Sequence, residues 1–445
     1  MLSIVQKINY YLSDYILIIM LVACGLYFTI KTKCVQVRCF GEGVKKVFGS
    51  FSIRGGAQSS GLTSFQALAT AIAAQVGTGN IVGASGAILI GGPGAVFWMW
   101  VIAFFGMATI YAEATTAQKT RIKESDGTIL GGPVYYIKAV FKKNGGKFLA
   151  TFFAIAAVLA LGFFGAMVQS NSIGEVFQNA FNIPSWVAGL LLVILSSFIF
   201  LGGINRLASV TEKIVPLMAL LYLVGGILIL IVKIKFIPET FVLIFKYAFQ
   251  PQAIIGGTFG IALKTAISQG VKRGLFSNEA GMGSTPHAHA LANVKDPHDQ
   301  GVVAMIGVFV DTFIVLTMTA LIVITTLYTN NGPLSAGDIT NFSKTTLVQT
   351  AFGSIFGSSF GNTFVAICLF FFAFSTILSW NLFGKINMQY LFGKKSVFIY
   401  SIISIIFIFV GSILSNDLVW ELTDMFNQLM VIPNVIALIA CSICL

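Results

Sequence analysis

The fold is decided by the stretch Gln75-Val76-Gly77-Thr78-Gly79-Asn80-Ile81-Val82-Gly83, which is followed by Gly91-Gly92-Pro93-Gly94. This stretch lies within an apolar run, 64–90, that is long enough to cross a bilayer, since about 20 apolar residues suffice. Each glycine costs a helix about 1 kcal/mol relative to alanine. Opened backbone within a membrane is tolerated where it lines a cavity enclosed by protein, and there its polar groups can serve as ligands. The stretch therefore predicts either a break at a binding site or a close helix–helix contact, because Gly79-xxx-Gly83 also suits small-residue packing.

The composition is typical of a polytopic membrane protein. Of the 445 residues, 56% are hydrophobic and only 10% are charged, whereas a soluble domain carries about 25% charged residues. The six cysteines form neither a disulfide framework nor a zinc pattern. The sequence therefore predicts an all-α membrane protein.

Eleven apolar segments are predicted to span the membrane. In chain order they are 13–30, 64–90, 95–116, 147–169, 185–201, 207–232, 253–290, 301–328, 345–380, 395–413 and 425–445. The seventh is too long for one unbroken span. The first lacks a small-residue cleavage site and runs into Lys31 and Lys33, so it is not interpreted as a cleaved signal.

The distribution of basic residues predicts the orientation. With the amino terminus outside, 22 of the 27 lysines and arginines lie on the cytoplasmic side or in the helices just flanking it. The cytoplasmic segments are then 31–63, 117–146, 202–206, 291–300 and 381–394, and the basic residues left on the other face are Lys7, Lys233, Lys235, Lys246 and Lys344. This is the positive-inside pattern of a plasma-membrane protein, with the carboxyl terminus in the cytoplasm. The net charge of +11 is therefore attributed to topology and lipid contact rather than to nucleic-acid binding.

The spans divide into one additional helix and two sets of five. Residues 1–63 are predicted to hold the additional helix and a basic loop, and 64–232 and 253–445 to form two five-helix repeats. Each repeat begins with an interrupted helix, the first broken at 77–80 and the second at 268–274, resuming at 276–281. An odd number of helices per repeat makes the repeats inverted, and matching interruptions indicate the mid-membrane site of a secondary transporter. Two unrelated glycine kinks are the alternative.

Several motifs resemble the alanine or glycine:cation symporter family. They are GTGNI at 77–81, GGPGAVFWMW at 91–100, GMAT at 106–109, GVKRGLFSNEAGMGS at 270–284 and FSTILSW at 374–380. The resemblance covers nearly the whole chain and implies the leucine-transporter fold, a monomer, and uptake of alanine, glycine or similar amino acids. It implies coupling to sodium, with proton coupling or another side-chain preference as alternatives. Family members usually continue into a polar tail, so a truncated carboxyl terminus is also expected.

An amino acid zwitterion needs donors for its carboxylate and acceptors for its ammonium. The amides of Thr78, Gly79 and Asn80 open the second half of a broken helix, whose positive end favours an anion. Backbone carbonyls near the two interruptions are predicted to accept from the ammonium. With the resemblance included, the predicted substrate site comprises Gly77, Thr78, Gly79, Asn80, Gln169, Gln269, Gly270, Gly274, Phe276, Ser277, Asn278 and Trp380.

Two assignments in this set depend on context. Gln169, near the end of its predicted helix, is either a polar wall of the site or a residue of the outer interface. The resemblance implies that Phe276 and Trp380 form an apolar lid that admits a methyl group and refuses larger side chains.

The sodium ion, the only coupling ion or cofactor expected, needs hard oxygen ligands. Ser375 and Thr376 follow Phe372 by three and four residues, so both hydroxyls share a helix face with its carbonyl. Opposite the carbonyls of Ala73 and Val76, this set resembles the sodium site of the fold. The alternative is that both hydroxyls bond back to their own helix.

Charged residues within apolar segments are functional candidates by default. They are Glu113, Lys264, Lys272, Arg273, Glu279 and Asp311. Arg273 and Glu279 are predicted to pair, as part of a gate or as a structural ion pair near the cytoplasmic mouth. Asp311 is either a proton-linked group or a polar partner of a neighbour. A metal cluster of His287, His289 and His298 with Asp296 is disfavoured, because no sulfur or acidic scaffold accompanies it.

Other classes of membrane protein fit the sequence poorly. A channel needs a continuous polar lining, which no predicted helix shows. The Gly-Thr-Gly-Asn run lacks the third glycine and preceding strand of a dinucleotide site, and no Gly-Lys-Ser/Thr phosphate loop is present. The sequence therefore predicts a transporter rather than an enzyme or a nucleotide-driven pump.

Overall fold

The structure, a computed structural model, describes residues 2–49, 61–125, 127–250, 259–335 and 339–441. Its helices are α1 (Leu2–Lys31), α2 (Val35–Arg38), α3 (Phe40–Gly49), α4 (Ser64–Gln75), α5 (Gly79–Gly91), α6 (Ala95–Thr120), α7 (Pro133–Val140), α8 (Lys143–Phe181), α9 (Ser185–Phe200), α10 (Gly203–Val232), α11 (Ile237–Phe249), α12 (Phe259–Asn278), α13 (Pro286–Leu291), α14 (Pro297–Leu327), α15 (Leu347–Phe356), α16 (Ser358–Phe392), α17 (Ser396–Ile413) and α18 (Asn416–Cys441). A short antiparallel hairpin pairs β1 (Ile122–Lys123) with β2 (Ile129–Leu130). The predicted helical membrane architecture is confirmed in outline.

Eight helices in the described part of the chain are long and apolar enough to cross a membrane. Together, α4 and α5 make a ninth span, bent by 43° where the chain is interrupted. The start of the seventh predicted segment, 253–258, and the end of the last, 442–445, lie outside the described residues. The count of eleven spans therefore stays a prediction.

Two predicted helix ends are wrong, because polar residues taken for loop are buried between helices. The helix predicted to end at Gln169 continues as α8 to Phe181, and Asn171 within it donates to the carbonyls of Gly411 and Leu414. The segment predicted as a single span over 345–380 is instead the pair α15 and α16, and α16 continues through most of the predicted 381–394 loop.

The second interruption lies further along the chain than predicted. α12 is continuous through 268–274, and the break occupies the seven residues 279–285 before α13. Gly270 and Gly274 serve packing instead: an added Cβ at Gly270 would lie 2.5 Å from the Trp98 Cβ, and one at Gly274 would lie 2.6 Å from the Ile102 Cγ2. These glycines let α12 approach α6 closely, as small residues do between membrane helices.

Three basic residues assigned to the cytoplasmic side lie at the opposite end of the molecule. Lys264 Nζ is 3.2 Å from Asp14 Oδ2 near the amino-terminal end of α1. Lys272 and Arg273 lie 2.7 and 3.0 Å from Asp424 Oδ2, in a segment predicted to be extracellular. The number of basic residues on the predicted cytoplasmic side thus falls by three, from 22 to 19 of the 27. The asymmetry keeps its direction.

At the other end, a backbone bridge joins the two interrupted helices. Leu62, just before α4, donates from its amide to the Leu291 carbonyl at 2.9 Å, and its carbonyl accepts from the Asn293 amide at 2.8 Å. Gln118 and Arg121, at the end of α6, donate to the Ala292 carbonyl of the same segment. The start of α4 and the end of α13 are thereby tied to each other and to the end of α6.

Candidate functional site

The first interruption is held open by side chains. After α4 ends at Gln75, the Gly77 amide donates to Asn80 Oδ1 at 3.1 Å and the Thr78 amide donates to Gln169 Oε1 at 3.2 Å. The Asn80 amide donates to the Gly77 carbonyl at 3.3 Å. Two of the three amides predicted to bind a carboxylate, those of Thr78 and Asn80, therefore already have partners within the protein.

Several buried polar atoms at this break have no hydrogen-bond partner among the described residues. They are Gln75 Oε1, Thr78 Oγ1 and Gln169 Nε2, with Gln269 Oε1 and Ser379 Oγ elsewhere on α12 and α16. Buried polar groups are normally hydrogen-bonded, so an unpartnered group calls for an explanation. Gln169 is 1% exposed and lies within α8, which excludes the outer-interface alternative and makes it a wall of the break.

The Asp311 carboxylate joins α5, just after the first break, to the end of α12, just before the second. It accepts from Asn80 Nδ2 at 2.7 Å on the first break and from Ser277 Oγ at 2.9 Å at the end of α12. Thr312 Oγ1 donates to it at 2.8 Å, and the residue is fully buried. These contacts match the polar-partner alternative for Asp311, which the predicted substrate set omitted. A link to proton coupling stays a prediction.

Arg273 and Glu279 do not pair, so that prediction is wrong. Arg273 donates both terminal nitrogens to Asp424, at 3.1 and 3.0 Å, whereas Glu279 accepts from Trp380 Nε1 at 2.6 Å and from Ser284 Oγ. The helix α12 is continuous from Arg273 to Asn278. The step of six residues from Arg273 to Glu279 therefore separates them by about 9 Å along the helix axis.

An aromatic cluster covers the first break. The Phe276 ring lies 5.9 Å from the Trp380 ring and 4.9 Å from the Trp420 ring. An added Cβ on Gly79 would lie 3.1 Å from Phe276 Cδ1, so the cluster contacts the break itself. Arg273 stacks on the far side of Trp420 at 4.7 Å. Sequence reasoning missed Trp420, because it lies in the segment 417–424 that was taken for an exposed loop.

The remaining predicted substrate residues divide into two groups. Ser277 and Asn278 reach the first break: Ser277 Cα lies 3.0 Å from an added Cβ on Gly79, and the Asn278 carbonyl accepts from Gln75 Nε2 at 2.7 Å. Gln269, Gly270 and Gly274 lie higher on α12, where the two glycines pack on α6 and Gln269 lies beside Gly91. The structure does not bring these three residues to the break.

The predicted sodium ligands converge between α4 and α16. Thr376 Oγ1 donates to the Ala73 carbonyl at 2.8 Å and to the Phe372 carbonyl at 3.1 Å. Ser375 Oγ lies 2.9 Å from the Phe372 carbonyl and 3.5 Å from that of Ala73. The hydroxyls therefore bond back to their own helix and also reach the opposing helix. Val76, the fifth predicted ligand, directly follows α4 and is buried.

The disfavoured histidine cluster does not form. His287 bonds through Nδ1 to the Ser284 carbonyl at 2.7 Å and through Nε2 to Asn387 at 2.9 Å. His289 Nδ1 accepts from Gln300 at 2.8 Å. Both histidines are buried and have protein partners, whereas His298 is partly exposed.

Comparisons with known proteins identify the family. The model of the sodium:alanine symporter family matches residues 1–444. The chain is 37% identical to the sodium/alanine symporter AgcS of Methanococcus maripaludis, covering 99% of this chain and 94% of that protein. It is 36% identical to the amino-acid carrier protein AlsT of Bacillus subtilis, covering 96% of this chain and 87% of that protein.

Solved transporters share the fold at low sequence identity. The structure of MhsT in complex with L-phenylalanine matches with a TM-score of 0.62 at 14% identity, over 86% of this chain and 89% of that one. A Na+-coupled sialic acid symporter in a substrate-bound outward-open state matches with a TM-score of 0.55 at 14% identity, over 91% and 82% of the two chains.

Proposed function

Because the chain belongs to the sodium:alanine symporter family, we propose that it carries a small neutral amino acid into the cell together with sodium, by alternating access. The observation that carries this function is the family match over residues 1–444, joined to an interrupted helix whose buried polar groups face a neighbouring oxygen cluster. The family is one of transporters, so the chain is not assigned to an enzyme class.

The sodium ion is assigned to the oxygen cluster between α4 and α16. The carbonyls of Ala73, Val76 and Phe372 and the hydroxyls of Ser375 and Thr376 supply five uncharged oxygens, a donor type that suits a hard cation. When the ion binds, each hydroxyl hydrogen rotates away from its carbonyl acceptor and presents a lone pair instead. A pair of carbonyls on different helices, Ala73 and Phe372, supports this assignment over a purely local role for the hydroxyls.

The substrate carboxylate is assigned to the first break, with a donor set that differs from the sequence prediction. Among the described residues Gln169 Nε2 and Thr78 Oγ1 are buried donors without partners, and the Thr78 amide holds the Gln169 side chain by donating to its oxygen, Oε1. The amino end of α5 adds the positive end of a helix dipole at the same place. Gly77 and Gly79 permit close approach of the backbone, and Gln75 Oε1 is assigned to the ammonium group.

The side-chain pocket is assigned to the space under the aromatic cluster. Phe276, Trp380 and Trp420 wall it, and Trp380 is held in place by its bond to Glu279 and by contact with Gly165, where an added Cβ would lie 2.3 Å from Trp380 Cζ3. A fixed wall excludes large substrates by steric clash. Ser277 and Asn278 support the pocket from the end of α12, while Gln269, Gly270 and Gly274 are assigned to packing.

The finer topology is also proposed rather than observed. Adding α9 and the pair α12 and α13 to the nine apolar spans gives the predicted eleven. The amino terminus is then outside and the carboxyl terminus cytoplasmic in the plasma membrane, with the additional helix in 1–63 and inverted repeats in 64–232 and 253–445. We further propose that the protein works as a monomer.

Impermeant thiol labelling of Lys142→Cys tests this orientation. Lys142 is exposed, just before α8, in a segment assigned to the cytoplasm. Labelling is expected only after the membrane is opened. Labelling of intact cells would show that the orientation is the opposite one.

Uptake of radiolabelled alanine into proteoliposomes tests the function. A sodium gradient without ATP is expected to drive accumulation, and unlabelled glycine is expected to compete. A proton gradient imposed without sodium separates the alternative of proton coupling. Accumulation that ignores both gradients would contradict symport by this chain.

A further inference from the structure

Three side chains with metal-ligating atoms meet between α3 and α14, away from the proposed transport site. The Cys39 sulfur, a Glu42 carboxylate oxygen and a His298 ring nitrogen all lie within 4.8 Å of one another. Cys39 immediately precedes α3, and Glu42 lies in the first turn of that helix. His298 lies in the first turn of α14.

Tight packing brings the two helices to this distance. An added Cβ on Gly43 would lie 2.7 Å from Ile306 Cγ1 and 2.9 Å from the Val302 carbonyl, so α3 contacts α14 at close range. The Phe40 and Phe309 rings meet edge to face at 4.8 Å. The juxtaposition therefore depends on the approach of the two helices and not only on flexible side chains.

Hydrogen bonds orient the imidazole of His298 toward the other two ligands. Its Nδ1 lies 2.8 Å from the Tyr111 hydroxyl, and its Nε2 lies 3.3 Å from Glu42 Oε2. A metal-ligating histidine almost always bonds through its second ring nitrogen to an oxygen partner, which fixes its tautomer and direction. Tyr111 occupies that position here, so Nε2 is the nitrogen available to an ion.

The surroundings leave one face of the cluster accessible. Cys39 is 6% exposed, whereas the side chains of His298 and Glu42 are 32% and 43% exposed, so an ion can enter from solvent. Lys46 Nζ lies 2.8 Å from Asp299 Oδ1 and further, at 3.6 Å, from Glu42 Oε1. The other Glu42 oxygen, Oε2, is the one that faces His298. Its charge is thus shared with a second carboxylate.

We propose that Cys39, Glu42 and His298 bind one divalent transition-metal ion of the zinc class. Thiolate, imidazole and carboxylate are the three ligand types that zinc takes in proteins, and three protein ligands leave a fourth position for water. The sulfur selects against magnesium and calcium, which prefer oxygen alone. Because α14 also carries Asp311, an ion that joins the start of α3 to α14 restrains a helix that contacts Asn80 on α5 and Ser277 at the end of α12.

Cobalt titration of the purified full-length protein tests the site. A thiolate-to-cobalt charge-transfer band is expected in the parent protein and in Cys34→Ser, an exposed cysteine nearby that serves as the matched control. The band is expected to disappear in Cys39→Ser. Zinc should displace the cobalt, and its apparent affinity should fall by at least about 10-fold in Glu42→Gln and in His298→Ala.

A band that persists in Cys39→Ser, or that is absent from the parent protein, would overturn the proposal. Each variant's Tm without metal shows whether it is folded. Should Cys39→Ser fail to fold, His298→Ala decides instead: unchanged zinc affinity there refutes the site, and a loss of at least about 10-fold supports it. Uptake driven by sodium is a separate measurement and does not enter this test.

Discussion

The two interrupted helices open by different means. The first break spans 76–78, and no residue in it has a left-handed backbone. The second spans 279–285 and contains Glu279, Gly281 and Gly283 at φ of 59°, 90° and 83°. Glycines at the first break admit neighbouring groups, since an added Cβ on Gly77 would lie 2.3 Å from Thr376 Oγ1. At the second break, glycines let the chain turn.

The breaks are also stabilised differently. Amide side chains complete the first, and among the described residues they leave Gln169 Nε2 and Thr78 Oγ1 without partners. A buried carboxylate holds the second: Glu113 accepts from the Gly281 amide at 3.1 Å and from Asn434 Nδ2 at 2.6 Å. The second break also contains one buried oxygen without a partner in the described part of the chain, Thr285 Oγ1. We propose that the first break binds the substrate, because its unpartnered donors lie beside opened backbone, and that the carboxylate contacts of the second break fix its shape.

Gly77→Ala is expected to produce the largest effect. Its new methyl group would displace Thr376 Oγ1 from the proposed sodium site, while the backbone conformation itself accepts alanine. A displacement near 1 Å at such a site can cost about 100-fold in rate, so sodium-driven uptake should fall by roughly that factor. Gly86→Ala, in the helix α5 that follows the break, is the matched control, because the nearest neighbour of its added methyl group lies at an ordinary 3.6 Å. Equal uptake by both variants would contradict the role given to Gly77.

Removal of both hydroxyls in Ser375→Ala/Thr376→Ala should come next. Because water can replace part of the lost coordination, the two hydroxyls together should be worth about 1.5–3 kcal/mol, so the sodium concentration for half-maximal uptake should rise by roughly 10- to 100-fold. Thr325→Ala/Thr326→Ala is the control, since those adjacent hydroxyls bond only to carbonyls of their own helix in the contacts found. Unchanged sodium dependence of uptake in a well-expressed double variant would refute the assignment of the cation to this position.

Phe276→Ala is expected to widen substrate selectivity. With one wall of the pocket gone, leucine should compete with alanine, and the discrimination between them should shrink by about 10-fold. Phe360→Ala, which removes a 57% exposed ring, should leave selectivity unchanged. If the original size limit survives in Phe276→Ala, the aromatic cluster does not set it.

Asn80→Ala tests the proposed carboxylate site separately from the side-chain pocket. Asn80 joins the Gly77 amide to Asp311 and does not face the side-chain pocket, so its loss should weaken all substrates by a similar factor of about 10. Competition curves for alanine, glycine and a larger amino acid measure this. A change in their order of affinity would place Asn80 in the pocket instead.

Gly281→Ala should give the smallest change in transport and a clear change in stability. A non-glycine residue held in a left-handed conformation costs about 1–3 kcal/mol, so Tm should fall by a few degrees. Gly260→Ala, where an added methyl group meets none of the described residues within 4 Å, should not lower Tm, because alanine favours the helix more than glycine does. A loss of sodium affinity in Gly281→Ala without a loss of stability would make the second break a binding element too.

The sequence predicted the first break well and the second poorly, for the same physical reason. Gly77 and Asn80 act within a few residues of each other, so local pattern reveals them. The glycines at 270 and 274 look equally suited to a break, but only the distant helix α6 shows that they serve packing. Asn171 and Trp420 were likewise assigned to loops, because the partners that bury them lie far away in the chain.

The proposed sodium ligands show what local spacing can and cannot establish. The spacing of Phe372, Ser375 and Thr376 correctly placed their oxygens on one face. Their meeting with Ala73 came from the resemblance to a family, because nothing in either segment specifies the other. Asp311 stands out in the sequence as a charge in an apolar segment, but its contacts with Asn80 and Ser277 needed the structure.

The backbone bridge at Leu62 bears on how tightly the proposed transporter would couple movement of the ion to movement of the substrate. Slippage occurs when an ion escapes while its co-substrate stays behind. The proposed sodium ligand Ala73 lies on α4, and α4 is tied through Leu62 to Leu291 and Asn293 beside α13. Separation of α4 alone would cost both hydrogen bonds of this bridge, whereas movement of α4 and α13 together would keep them. The bridge thus opposes a movement of α4 alone that would open the proposed sodium site early.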